Sequence, residues 1–224
     1  MTTSAWITLL TTFALAVISP GPDFLATLKS ALTNGRSRGI ATGAGIATGT
    51  ILWATGTMAG VVALISRSDT AFLIVRLAGA LFLTGYGVRI LHAMWREHRA
   101  SSAQEAPADA PLAEGIEASS APYPMWKSFR LGFLTTTVGN PKAVIFFTTL
   151  FASILPPTIT VAEGAALTAL MVLISATWFT SVALAASMPA FVRLYERSRT
   201  WIDLALGVLF TALGFALIPW TSLF

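Results

Sequence analysis

The sequence predicts an all-α polytopic membrane protein with six transmembrane helices, arranged as two inverted three-helix repeats in which the first helix of each repeat is broken. Three observations carry that reading. Of 224 residues, 55% are hydrophobic and 11% charged, whereas a soluble domain carries roughly 25% charged residues. The apolar residues gather into charge-free runs near the ~20 residues that a bilayer-spanning helix needs. Two proline motifs also recur at corresponding places in the two halves of the chain. A soluble fold of this size has too little interior for so much apolar surface. In lipid, a helix satisfies its own backbone and leaves an apolar outer face exposed without penalty.

The spans are expected at 4–28, 39–66, 70–91, 129–155, 161–188 and 200–221, from charge-free length and the turn residues between runs. The first begins in a stretch, 1–22, with no charged side chain. It lacks the basic n-region of a cleaved signal and reads as a retained helix. The second, Gly39 to Ser66, and the fifth, over Gly164 to Val192, are long and uncharged. In the third, Arg76 and Arg89 bracket only a short apolar core.

Between the third and fourth spans, residues 97–124 are rich in Ala, Ser, Pro and acids (Glu105, Asp109, Glu114, Glu117). That composition buries too little apolar surface to order itself, so the stretch is expected to be a flexible cytoplasmic linker. It divides the chain into a first three-helix repeat, 1–96, and a second, 125–224. If the spans alternate, Lys29, Arg36, Arg38, Arg89, Arg96, Arg99, Lys127, Arg130, Arg193, Arg197 and Arg199 share one side, eleven of fourteen cations. The positive-inside rule places that side in the cytoplasm and both termini outside. The net charge of +4 thus reports orientation in a bilayer, and no nucleic-acid partner is expected.

The repeat rests on two alignments. Ser19-Pro20-Gly21-Pro22-Asp23-Phe24 matches Val138-Gly139-Asn140-Pro141-Lys142-Ala143, setting proline on proline and opposite charges at the next position. Residues 76–87 (RLAGALFLTGYG) match 203–214 (DLALGVLFTALG) without a gap. Three spans per half force the second copy to insert upside down. Inverted repeats of this kind place a binding site near the midplane, where each half supplies a broken helix.

Proline removes a backbone donor and clashes with the preceding turn, so Pro20, Gly21 and Pro22 are expected to break the first helix. Pro141 does the same more weakly after Gly139 and Asn140, whose amide can replace a lost backbone partner or bind a ligand. A packing kink is the structural alternative. Asp23 and Lys142 are the only ionisable groups well inside the first and fourth spans, and each costs at least ~2.5–3.5 kcal/mol at mid-helix. Two arrangements offset that cost. The residues form an ion pair tying the halves together, or they line a wet cavity and recognise a zwitterion, Asp23 facing its ammonium and Lys142 its carboxylate. In the second arrangement Gly21 and Asn140 complete the site and Asp23 also carries a coupling proton.

Gly39, Gly43, Gly45, Gly49, Gly56 and Gly60 put three Gly-x-x-x-Gly pairs on the second span. These favour close helix packing within the protomer, with a homodimer face as the alternative. Arg76 and Asp203 lie near helix ends, where snorkelling to headgroups accounts for them. Trp6, Trp53, Trp95, Trp126, Trp201 and Trp220 mostly fall near proposed ends, as interfacial anchors do, whereas Trp178 is mid-span, for packing or site lining. With no cysteine, dithiol chemistry is excluded. His92 and His98 sit in a basic stretch that suits a loop better than a metal site. No metal, cofactor or catalytic residue is therefore expected. A channel or metal exporter would want rings of carboxylates, and a membrane-embedded enzyme a nucleophile with its base; the spans supply neither.

The chain resembles the LysE/RhtB (lysine exporter, homoserine–threonine exporter) family of bacterial amino acid effluxers. The resemblance is carried by 19–24, by Asn34-Gly35-Arg36-Ser37-Arg38-Gly39 entering the glycine-rich span, and by Arg130-Leu131-Gly132-Phe133-Leu134 followed by 139–143. It implies six helices, export of amino acids or close derivatives across a bacterial inner membrane, and proton antiport. It does not fix the substrate. The scarcity of intramembrane acids favours neutral amino acids over lysine or arginine.

Overall fold

The computed structural model describes residues 1–65, 69–103, 124–155 and 159–218, and every regular element within them is helical. The order is α1 (Thr3–Ile18), α2 (Pro22–Asn34), α3 (Arg36–Ile65), α4 (Asp69–Ala103), α5 (Met125–Leu134), a π-helical turn (Thr135–Gly139), α6 (Pro141–Ile154), α7 (Val161–Ala185) and α8 (Pro189–Ala216). Among the described residues three stretches, Leu77–Arg96, Val161–Ala185 and Arg197–Ala216, are each long and apolar enough to cross a bilayer. The pair α1 and α2 makes a fourth candidate span, bent by 48°.

The expected first helix thus breaks where its prolines stand. Ser19 leaves the helix in extended backbone, Gly21 follows extended, and Pro22 opens α2 at a position whose missing N–H costs nothing. Its counterpart also breaks, but by a different route. α5 widens into the π turn, Asn140 caps α6 by accepting from the Ala143 N–H at 3.3 Å, and Pro141 begins the new helix. Gly35 turns the corner from α2 to α3 at φ +90°, where glycine has no Cβ to clash.

Two elements depart from expectation. α4 does not end near residue 91 but runs to Ala103, so 97–103 of the expected linker is helical, and residues 104–123 lie outside those described. α8 starts at Pro189, eleven residues before the expected boundary of 200. Charged side chains do not stop a helix once it leaves the apolar layer, because its backbone bonds are already satisfied internally.

The glycines of α3 are used inside the protomer over most of its length. A Cβ on Gly45 would stand 2.0 Å from the Phe129 carbonyl, and one on Gly132 1.9 Å from that of Thr42, so α3 and α5 pack backbone to backbone. Gly39 and Gly43 face Ala183 and Phe179 of α7, and Gly49 receives the Thr136 methyl. Among the described residues, Gly56 and Gly60 face nothing within 4 Å. The seam between α4 and α8 is reciprocal: a Cβ on Gly87 would lie 2.4 Å from Thr211 Oγ1, and one on Gly214 2.4 Å from Thr84 Oγ1.

The main core gathers Leu9 and Phe13 of α1, Phe146, Leu150 and Phe151 of α6, Met171 of α7 and Phe210 of α8. A second cluster joins Phe24 and Leu28 of α2 to Val182 and to Tyr195, whose ring stacks on Phe24 at 4.1 Å. These clusters flank the break between α1 and α2, which is where the charged residues meet.

Candidate functional site

A helix that stops inside a protein leaves its last carbonyls without partners and presents a partial negative charge. Here those groups are claimed by side chains from the other half of the chain. Lys142, at the start of α6, donates from Nζ to the carbonyl of Ala16 at 2.8 Å and to that of Ser19 at 3.3 Å. Tyr195 of α8 donates its hydroxyl to the Ile18 carbonyl at 3.1 Å. Gly21 leaves room for the ammonium, since a Cβ there would stand 3.3 Å from Nζ.

Asp23 lies in the first turn of α2, at the positive end of that helix. Its Oδ2 accepts from Thr136 Oγ1 at 2.6 Å and from Asn140 Nδ2 at 2.8 Å. Both donors come from the second break, one on each side of Gly139. The break in the first helix therefore offers a negative end to the cation and a positive end to the anion. This explains how both charges are held between the helices without touching: among the described residues Asp23 and Lys142 form no ion pair.

The two charged residues line one cavity, with Ser19, Gly21, Thr136 and Asn140 at its polar face and Thr50 and Ser175 on α3 and α7. Thr50 and Ser175 share a hydrogen bond of 3.3 Å. Phe13, Phe146, Phe147 and Phe179 supply the apolar wall. The cavity, of about 40 Å³, has room for a few waters. Within it, Asp23 Oδ1 is buried and accepts no hydrogen bond from the described residues, an orphan acceptor of the kind that a ligand or water satisfies.

Every residue singled out from the sequence at the two breaks thus borders the same cavity or forms the breaks themselves. Asn140 uses its amide in both ways open to it structurally, capping α6 and holding Asp23. Sequence reasoning missed Thr136, Tyr195, Thr50 and Ser175, since single hydroxyls in apolar helices carry no distinguishing signal. It also misplaced Trp53, which is not an end anchor: it sits mid-helix in α3, donates from Nε1 to the Thr136 carbonyl at 3.0 Å and stacks on Phe147 at 6.2 Å. Trp178 is mid-span in α7, as expected. Asp203 pairs with Arg199 at 3.6 Å across one helical turn; the Arg76 and His98 side chains and Trp220 lie outside those described.

Comparison with known proteins adds the following. The family described as LysE type translocator matches residues 14–219. The threonine efflux protein of Salmonella typhi is 30% identical over 204 residues, covering 91% of this chain and 92% of that protein. The threonine efflux protein of Escherichia coli K12 is 28% identical over the same shares. The leucine efflux protein of Klebsiella pneumoniae is 27% identical over 147 residues, 65% of this chain and 61% of that protein. No solved structure matches the chain.

Proposed function

Because the chain belongs to the LysE type translocator family, we propose that it is a secondary carrier that exports amino acids or close derivatives from the cytoplasm, by proton antiport, through the cavity between its two broken helices. The substrate class is neutral amino acids, as the names of the threonine and leucine efflux relatives suggest. One observation carries the reading: a single cavity bordered by a half-buried carboxylate whose Oδ1 is vacant among the described residues and by a half-buried ammonium held on backbone carbonyls. A zwitterion is the ligand that such a pair fits, its ammonium on Asp23 Oδ1 and its carboxylate drawing Lys142 from the end of α1. Gly21 and Asn140 border the ligand, and Pro20, Pro22 and Pro141 keep both helices open. When no ammonium is present Asp23 takes a proton, which couples export to proton entry.

In this account the six spans are the bent pair α1 and α2, then α3, α4, the interrupted run from α5 to α6, α7 and α8. They form two inverted repeats, 1–96 and 125–224, joined by a linker within 97–124. The matched distances at Gly87 with Thr211 and at Gly214 with Thr84 support that symmetry, since each contact maps onto the other by the alignment of 76–87 with 203–214. The basic loops face the cytoplasm across the inner membrane and both termini lie outside.

The test is counterflow in proteoliposomes with radiolabelled threonine, leucine and lysine. Saturable exchange of a neutral amino acid is expected, reduced at least tenfold by Asp23→Asn and by Lys142→Met. Exchange at the wild-type rate in both variants removes the proposed site.

A further inference from the structure

The π turn between α5 and α6 is held by three contacts, two from α3 and one from α2, all in the first half of the chain. Gly49 makes space for the Thr136 methyl, where a Cβ would come within 2.3 Å. The Trp53 indole donates to the Thr136 carbonyl, and the Thr136 hydroxyl donates to Asp23 Oδ2. A π turn spaces its backbone more widely than an α-helix and is costly without such outside contacts. These contacts fix where one hydroxyl stands, and that hydroxyl meets the carboxylate at the heart of the cavity.

Resting on the function proposed above, we infer that Thr136 and Trp53 are positioning residues of the transport site. Thr136, with Asn140, occupies Oδ2 of Asp23 and so leaves Oδ1 as the oxygen presented to the substrate ammonium. Trp53 acts through Thr136: its N–H locks the turn that carries the hydroxyl. A carboxylate held by two donors on one oxygen keeps a single orientation, whereas one released from them turns either oxygen to any donor within reach. The same arrangement joins the two halves, since donors on the second break meet a carboxylate on the first. Substrate binding at Asp23 is thereby felt directly by the turn between α5 and α6.

The inference is tested by KM and maximal rate of counterflow, using the neutral amino acid best transported in the screen above. Thr136→Val keeps the side-chain shape and removes the hydroxyl. It is expected to raise KM about tenfold or more, the scale of one hydrogen bond to a charged group, with a much smaller change in maximal rate. Thr136→Ser, which keeps the hydroxyl, stays close to wild type. Trp53→Phe retains the stacking on Phe147, loses only the N–H and raises KM severalfold. In the Thr136→Val background it adds nothing further, because the group it positions is gone. A merely structural tryptophan would instead multiply the effect of Thr136→Val. Equal KM in Thr136→Val and Thr136→Ser, or multiplying effects in the double variant, overturns the inference. Should Thr136→Val not fold, Thr136→Ala carries the same expectation. An Asp23→Asn arm separates the two levels: if it exchanges at full rate, the site and the inference fall together. If it is inactive while Thr136→Val is unchanged, only the inference falls.

Discussion

Replacing Gly132 by alanine puts a methyl carbon 1.9 Å from the Thr42 carbonyl oxygen, and ordinary contact begins near 3.4 Å. The obstacle is backbone on backbone, so no side chain can swing aside. α3 and α5 must separate by about 1.5 Å at that point, and a gap of only 0.5–1 Å already forfeits a quarter to a half of a van der Waals contact. Overpacking in well-packed cores typically costs 1–3 kcal/mol; at a seam this rigid the expected loss is about 3 kcal/mol or more. Gly56 on the same helix has open space around its missing Cβ among the described residues, so Gly56→Ala is expected to gain up to about 1 kcal/mol from helix propensity. The two substitutions are chemically identical and differ by about 4 kcal/mol in expected effect. Thermal unfolding in mild detergent, followed by tryptophan fluorescence, measures the difference. If Gly132→Ala unfolds at the same temperature as Gly56→Ala, α3 and α5 do not pack as described.

Other expectations follow from the same contacts. Gly87→Ala and Gly214→Ala should each cost about 1–3 kcal/mol and agree closely in unfolding temperature; a large difference argues against the proposed symmetry. Gly35→Ala forces a side chain into φ +90° and should destabilise by about 1–3 kcal/mol in the same assay. Tyr195→Phe removes one donor to the end of α1 and should cost about 1 kcal/mol while leaving the KM of counterflow unchanged, because its hydroxyl meets the Ile18 carbonyl and does not border the cavity.

The two helix breaks were legible because proline has a mechanism: it cannot donate a backbone hydrogen bond wherever it stands. The isolation of Asp23 and Lys142 was legible for an equally physical reason, the cost of burying charge in lipid. What offsets that cost was not. The candidate partners were each other and a substrate, yet the structure uses helix-end carbonyls for Lys142 and two side-chain donors for Asp23. Backbone groups have no signature in sequence, so a partner made of backbone is invisible there. The π turn is hidden in a different way. Nothing in Thr135–Gly139 separates it from an α-helix, because contacts with Gly49, Trp53 and Asp23 decide its width. From sequence alone Trp53 reads as an anchor, because tryptophans in membrane proteins are enriched at the interfaces. Its position is instead set by the carbonyl it reaches across the bundle.

Because the chain contains no cysteine, Ser175→Cys introduces a single thiol into the cavity wall and Gly56→Cys a single thiol on the outward groove of α3. The most direct measurement is the rate at which a small thiol reagent modifies each one in proteoliposomes, with and without saturating transported amino acid. If the cavity between the broken helices holds the substrate, the amino acid slows modification at position 175 and leaves position 56 unaffected. Equal rates at position 175 with and without substrate would place the binding site elsewhere in the molecule.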